Sequence, residues 1–265
     1  MLSTSKIDDL TSFARFLATE SAATILPLFR NTLTIDAKAS SDWDPVTEAD
    51  RAAERVMRHH IEQHFPDHSV IGEEFGSRDG RSDFKWILDP IDGTRAFVIG
   101  MPTWGTLIGL YYEDQPLIGI MNQPFVGDMF VGTPSGSTLE RGGLRQPLRV
   151  RESRSLVNAQ LGTTTPHRYQ MRGEGKGFEG LRQSVQLARY GGDAYFYCLV
   201  AAGHLDIALD PDLKIYDIAA LIPIIQGAGG VVAEWTGGNP AMGGNIVTAS
   251  SQALLDEAAD YLRGR

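Results

Sequence analysis

The stretch Trp86-Ile87-Leu88-Asp89-Pro90-Ile91-Asp92-Gly93-Thr94 constrains this chain more than any other. Its apolar run reads as a buried strand, and Pro90, which has no backbone N–H to give, predicts that the strand stops there. Asp89 and Asp92 then stand on the turn leaving the strand, spaced so that both carboxylates can face one point. Gly93 permits a close backbone approach, and Thr94 is placed to begin the helix that follows. Two hard oxygen ligands beside a helix N-terminus make a place for a divalent cation and a phosphate together. The same residues also read as a strand end and an ordinary Asp-Gly turn, since Asp and Gly dominate turns. The rest of the chain decides between the two.

With 265 residues and 42% hydrophobic content, the chain can bury a substantial core as one large domain or two closely packed halves. A formal net charge of -9 disfavours a nucleic-acid-coating surface and is compatible with a small phosphorylated substrate held by metal. The lone cysteine, Cys198, rules out an internal disulfide and lies in an apolar stretch as a core residue. No segment has the form of a signal peptide or is long and apolar enough to span a bilayer, so the expected setting is cytoplasmic.

In chain order, apolar residues at helical spacing predict an amphipathic helix over 7–29 (Leu10, Phe13, Leu17, Ile25). Residues 31–43 read as a strand edge and a mobile loop. A second helix follows to about residue 65, with Thr47 as N-cap and Asp50 as the acid of a capping box, which is as good a role for Asp50 as metal ligation. His60 and His64 lack the glutamate of a zinc-protease motif, because Ile61 stands there, and read as a solvated helix face. Residues 68–72 form a short strand that delivers Glu73 and Glu74, whose side chains diverge, so one of them can join a given site. Strands over 103–112 and 115–123 meet at Glu113-Asp114, and 127–133 and 137–141 continue the meander. The polar stretch 149–155 suggests a division into halves 1–153 and 154–265, one compact unit in which the first half carries Glu73 and Asp89–Thr94 and the second carries Asp217. A strand over 158–163 is followed by a loop, 164–180, whose Gly173-Glu174-Gly175-Lys176-Gly177 lacks the spacing of a phosphate loop and reads as a flexible surface segment. A helix over 178–187, a short strand, a buried helix over 195–202 and a strand over 205–209 come next, with Asp210-Pro211-Asp212 as a turn. Asp217 heads an apolar helix as its N-cap, a role compatible with metal ligation by the second oxygen. Two more strands and a helix capped by Ser250 or Ser251 complete the chain.

Several elements thus end in acids: Glu73, Asp89 with Asp92, Asp217 and, more loosely, Asp44 and Asp50. Carboxylates converging without imidazole or thiolate repel one another unless cations are present, and favour Mg²⁺ or Mn²⁺. As a set, Gly72-Glu73-Glu74, Asp89-Pro90-Ile91-Asp92-Gly93-Thr94, Tyr216-Asp217-Ile218-Ala219-Ala220 and Gly227-Ala228-Gly229-Gly230 resemble the inositol-monophosphatase-like family of Mg²⁺-dependent phosphatases, in family order over nearly the whole chain. The resemblance implies an α-β-α-β-α layered sandwich, α+β or α/β in class, and a homodimer; the acidic net charge and the lack of a spanning run argue against nucleic-acid and membrane partners. It implies two or three Mg²⁺ ions, replaceable by Mn²⁺, held by Glu73, Asp89, the Ile91 carbonyl, Asp92 and Asp217. Glu73, Thr94 and Asp89 would carry the chemistry, with Thr94 hydrogen-bonded to Glu73 to orient the attacking water. Phosphate and substrate contacts would come from Asp92, Gly93, Thr94 and Asp217. Tyr216 departs from the Trp that many relatives place before the aspartate, which bears on substrate. The segments around Tyr190-Gly191-Gly192-Asp193 and Tyr216-Asp217 look most like the histidinol-phosphatase branch, which acts in histidine biosynthesis. Asp193 and Asp210 are then candidates for the ammonium and imidazole of that substrate, or else a helix cap and the start of a turn. Inositol 1-phosphate, a 3′-phosphonucleotide or a sugar phosphate are the alternatives within the family. A regulatory binding protein on the same fold is the alternative outside catalysis, and the retained acids argue against it.

Overall fold

The computed structural model describes residues 2–31, 35–37, 45–152 and 155–264. Asp44 and the segment 38–43 lie outside these residues. Helix α1 (Thr4–Ile25) is capped by the Ser3 hydroxyl and buries Leu10, Ala14, Leu17, Ala18 and Ile25 along one stripe. Strands β1 (Ile35–Ala37) and β2 (Pro45–Thr47) form an antiparallel ribbon ahead of α2 (Glu48–His64). The expected capping box opens α2: Ala49 N–H donates to the Thr47 hydroxyl, and Asp50 Oδ2 accepts from Thr47 N–H at 2.8 Å. His60 and His64 pack beside Phe16 and Phe13 on the outer face of the helix pair.

An eight-stranded sheet follows, made of β3 (Ser69–Gly72), β4 (Gly76–Arg78), β5 (Phe84–Asp92), β6 (Gly105–Tyr112), β7 (Gln115–Gln123), β8 (Asp128–Thr133), β9 (Gly136–Arg141) and β10 (Leu144–Pro147), in the order β10-β9-β8-β7-β6-β5-β3-β4. Among the described residues of this sheet, only the β3–β5 pair is parallel. Helix α3 (Thr94–Val98) hangs from the end of β5. The second half contains β11 (Gln160–Thr163), α4 (His167–Met171), α5 (Gly175–Ser184), β12 (Leu187–Tyr190), α6 (Asp193–Ala201), β13 (Ile207–Leu213), α7 (Ile215–Ile218), α8 (Leu221–Gly227), β14 (Val231–Glu234), β15 (Gly244–Ala249) and α9 (Gln252–Leu262). Its five strands make a second sheet in the order β12-β11-β13-β15-β14.

Residue alternation along the strands builds the layers. On β6, Ile108 and Leu110 face the core under α1 and α2, whereas Leu107 and Tyr111 face the core shared with α6, α7 and α8. The smaller sheet closes that central core from its other side, through Ala208 and Ile246, and packs its outer face on α4, α5 and α9 through Ile207, Leu209 and Val247. The result is the expected α-β-α-β-α stack. A row of glycines lets the central layer seat closely: Gly109, Gly119 and Gly132 are paired across β6, β7 and β8. A Cβ there would meet Ala219, Ala220 and the Pro223–Ile224 peptide, with contacts of 2.8 Å at Ala219 Cβ and 2.7 Å at the Ala220 carbonyl carbon. The backbone joining α7 to α8 therefore lies directly on the sheet, just past Asp217.

Four local expectations are corrected. Strand β5 does not stop at Pro90; the pairing shifts between Asp89 (opposite Leu107) and Asp92 (opposite Gly105), a bulge at which the missing N–H costs no ladder bond. Likewise Asp210-Pro211-Asp212 is a bulged part of β13, with the shift between Asp210 and Leu213. The 164–180 loop holds α4 and the first turns of α5, because Gly177 packs against the Tyr261 backbone, where a side chain has no room. Asp217 sits in the third position of α7 instead of capping it, and its Oδ2 accepts from Lys214 N–H at 2.7 Å.

Candidate active site

The acids predicted from scattered motifs meet in one cleft of about 410 Å³ between the two sheets. Glu73 enters from the turn after β3, Asp89, Ile91 and Asp92 from the β5 bulge, and Gly93 and Thr94 from the start of α3. Asp193 enters from the head of α6, Asp210 from the β13 bulge and Asp217 from α7. Carboxylate oxygens of Asp89, Asp92 and Asp217 all lie within 4.8 Å of one another.

Backbone amides fix several of these side chains. Ala194 N–H donates to Asp92 Oδ2 at 2.7 Å, so the acid at the end of β5 caps helix α6. Gly93 adopts φ +81°, and a Cβ there would strike the Asp193 carboxylate at 2.8 Å, so glycine is required on both counts. Asp193 itself starts α6 with φ 46° and accepts from the Thr103 hydroxyl at 3.2 Å. Asp210 is 6% exposed, and Thr163 Oγ1, Thr164 N–H, Thr164 Oγ1 and Tyr197 Oη all donate to it. With four donors from the chain itself, Asp210 holds the β11 end against α6 and is a poor partner for a substrate cation. The Thr94 hydroxyl lies 3.0 Å from the Ile91 carbonyl and 3.4 Å from Asp50 Oδ1. Asp50 therefore belongs to the site through Thr94, while also keeping its capping role.

Burial dominates the electrostatics. It pushes the Asp89 carboxyl well above the usual range, and Glu73, Asp92 and Asp217 push it further. Asp92 is raised by burial and by Asp193 and Asp217, against the Ala194 N–H. Asp217 is pushed up to about 7 by burial and Glu73, and Asp50 and Asp193 to about 6 by burial. Such a group of acids resists ionising together. Asp89 Oδ1 is buried without a hydrogen-bond partner, an orphaned hard donor facing its neighbours. An all-oxygen donor set with one orphaned carboxylate oxygen fits Mg²⁺ or Mn²⁺ and excludes a soft-metal site. Cations that sequence reasoning did not single out, Arg95, Arg168 and Lys214, line the same cleft. Arg168 was hidden in the segment read as loop, and a single long cation leaves no local signature.

The sequence pattern of the inositol monophosphatase family matches residues 6–264. This chain belongs to the inositol monophosphatase family. It is 38% identical over 238 residues to a chloroplastic bifunctional phosphatase of Arabidopsis thaliana, covering 89% of this chain and 67% of the plant protein. It is 33% identical to a histidinol-phosphatase of Streptomyces coelicolor over 98% of both chains. Among solved structures it resembles an inositol monophosphatase from Zymomonas mobilis, with a TM-score of 0.85 and 35% identity over 99% of this chain and 100% of that one. Membership makes the chain a metal-dependent phosphomonoesterase in class, and the cleft has the acids such a reaction needs. Among the described residues no helix is long and apolar enough to cross a membrane.

Proposed function

We propose that this chain hydrolyses L-histidinol phosphate to L-histidinol and phosphate, using two or three Mg²⁺ ions. The observation that carries the phosphatase chemistry is the convergence of Asp89, Asp92 and Asp217 within 4.8 Å, beside Gly93 and Thr94. Glu73, Asp89, the Ile91 carbonyl, Asp92 and Asp217 would hold the ions. Bound divalent cations supply Lewis-acid polarisation of the phosphate and charge relief for the leaving oxygen. The chain's own groups do the rest. Gly93, free of a Cβ, lets the phosphate approach the backbone at the head of α3. The Thr94 hydroxyl, oriented by Asp50 and the Ile91 carbonyl, holds the attacking water, and its contact with Asp50 gives the water's proton a route out of the cleft. Arg168 and Lys214 add positive charge at the mouth, where an anionic ester enters.

The substrate reading is supported by the Streptomyces relative's name and by Asp193, a carboxylate at the edge of the cleft beside Gly93. Histidinol phosphate carries an ammonium that gains from such a partner, whereas a polyol phosphate does not. The similarity to the Zymomonas enzyme favours inositol 1-phosphate as the second reading. A phosphate-release panel over L-histidinol phosphate, inositol 1-phosphate, a 3′-phosphonucleotide and fructose 1,6-bisphosphate tests this. The expected result is a kcat/KM for histidinol phosphate at least about tenfold above that for inositol 1-phosphate, about 1.4 kcal/mol. Activity should vanish in EDTA and return with Mg²⁺ or Mn²⁺. Equal turnover of inositol 1-phosphate would move the assignment to the second reading. We also propose a homodimer, supported by the exposed apolar side chains Ile99, Met101, Phe125 and Val126, which flank Arg30 on one face. Sedimentation of Ile99→Lys against the unaltered chain tests it, and an unchanged mass would refute this placement.

A further inference from the structure

We infer that Glu54 is a positioning residue that holds the turn carrying Glu73 and so sets the metal affinity of the cleft; the inference rests on the proposal that Glu73 is a ligand. Glu54 lies on α2, one turn after Asp50, and is 0% exposed. A buried carboxylate needs donors, and this one has three. Glu74 N–H donates to Oε2 at 2.8 Å, Phe75 N–H to Oε1 at 3.2 Å and Arg58 Nε to Oε1 at 2.7 Å. The Arg58 guanidinium also donates to the Gly76 carbonyl. On the other side, Glu73 N–H donates to the Leu88 carbonyl at 3.2 Å, on the strand that carries Asp89.

The peptide groups on either side of Glu73 are therefore tied to two different elements. β5 holds the one before it, and the Glu54–Arg58 pair of α2 holds those after it as far as Gly76. Gly72 completes the arrangement: a Cβ there would overlap the Glu54 carboxylate and approach Arg58 Nη2 to 2.8 Å, so only glycine lets Glu54 reach the turn. An ordinary i,i+4 surface pair does none of this, since its charges stay in water and touch no backbone. Asp50 and Glu54, one turn apart on the same helix, thus orient Thr94 and the Glu73 turn together, which makes α2 a rigid spacer behind the site.

Glu54→Gln keeps the size but presents an amide N–H₂ to amide and guanidinium donors, so at least one of the three is orphaned and the turn relaxes. The test is direct Mn²⁺ binding to the full chain without substrate, read from the free-Mn²⁺ resonance, together with the Mg²⁺ concentration for half-activation. The expected result is a dissociation constant weaker by about 10–100-fold, the scale for groups that orient metal ligands, with kcat recovering at saturating metal. Ile61→Val, a core substitution on the same helix, should lower the thermal midpoint and leave Mn²⁺ binding unchanged. Wild-type Mn²⁺ affinity in Glu54→Gln would overturn the inference. Should Glu54→Gln not fold, Arg58→Lys decides, because lysine cannot bridge Glu54 and the Gly76 carbonyl as a fork does: weaker Mn²⁺ binding supports the inference and unchanged binding refutes it. If the unaltered chain binds Mn²⁺ but releases no phosphate, the proposed function fails while the role of Glu54 is still read from the metal titration.

Discussion

Replacing Gly119 by alanine tests whether the sheet surface sets the position of Asp217. The added methyl would overlap the Ala220 carbonyl oxygen and lie 2.7 Å and 3.0 Å from the Ala220 carbonyl carbon and Cα. Carbon atoms sit at about 3.5–4.0 Å at optimal separation, so the α7–α8 backbone must retreat by about 1 Å. Both partners are backbone, with no flexible side-chain end to swing away, which places the cost at the upper end of the overpacking range, about 3 kcal/mol. Alanine recovers about 0.5–1 kcal/mol through its smaller loss of chain entropy in a strand. The net of about 2 kcal/mol corresponds to a fall in thermal midpoint of about 4–8 °C for a chain of this size. Because Asp217 lies only a few residues before the displaced peptide, kcat/KM for p-nitrophenyl phosphate should fall by about 10²-fold, the scale of a 1 Å misplacement. Gly127→Ala is the comparison: its φ is +87° with nothing within 4 Å, so it should cost about 1–2 kcal/mol of backbone strain and no activity. A Gly119→Ala protein with wild-type kcat/KM would refute the idea that the glycine row positions Asp217.

Further expectations follow from the same geometry. Asp89→Asn should raise the thermal midpoint in EDTA, by removing one of several mutually repelling buried acids, and should abolish phosphate release; a lower midpoint would contradict the repulsion. Thr94→Ala should lower kcat by on the order of 10²-fold with little change in folding, and near-wild-type kcat would remove Thr94 from the mechanism. Asp193→Asn should erode the preference for histidinol phosphate over inositol 1-phosphate while leaving p-nitrophenyl phosphate hydrolysis mostly intact; an unchanged ratio would discard Asp193 as a substrate contact. His68 is buried against Trp86, whose Nε1 donates to it at 3.1 Å, and burial followed by Lys6 lowers its pKa from 6.5 to about 4. The unfolded chain then binds the proton more readily between those values, so stability is complete above about pH 6.5 and is lost as pH falls toward 4, on the order of 3 kcal/mol in all. Urea midpoints for the unaltered chain and His68→Gln should differ in their acid dependence over that window; parallel slopes would sink the assignment.

What the sequence revealed depends on how far each feature reaches. The Asp89–Thr94 motif was legible because its residues act within one turn of chain, and the α1 and α2 stripes because helical spacing is local. Pro90 and Pro211 misled for one shared reason. Each follows an aspartate in a bulge, where a strand tolerates proline, so Asp-Pro read as a stop twice while both strands continued. The register that aligns Gly109, Gly119 and Gly132 exists only once three strands have paired, so three isolated glycines carried no signal. Gly177 looked like loop composition because its partner, Tyr261, lies far along the chain. Asp210 read as a turn start or a substrate contact, and Glu54 carried no signal at all; only the donors that reach each carboxylate show what it holds.

The site also shows how a fold can hold acids that repel. Asp50, Asp92 and Asp217 each commit Oδ2 to a backbone amide, of Thr47, Ala194 and Lys214 respectively, at 2.7–2.8 Å. A charge-assisted bond to a fixed amide locks the side-chain rotamer and favours the ionised form, while the other oxygen of Asp92 and Asp217 is left to the cleft and that of Asp50 to the Thr94 hydroxyl. The Ala194 bond joins the layers of the two sheets, since Asp92 leaves the large sheet and Ala194 opens the helix that packs on the small one. Separating the sheets would therefore disassemble the acid cluster and expose the shared core of α6, α7 and α8 in the same step. Cation binding in this cleft should then stabilise both layers together, because any ion held by Asp89, Asp92 and Asp217 spans the junction between them.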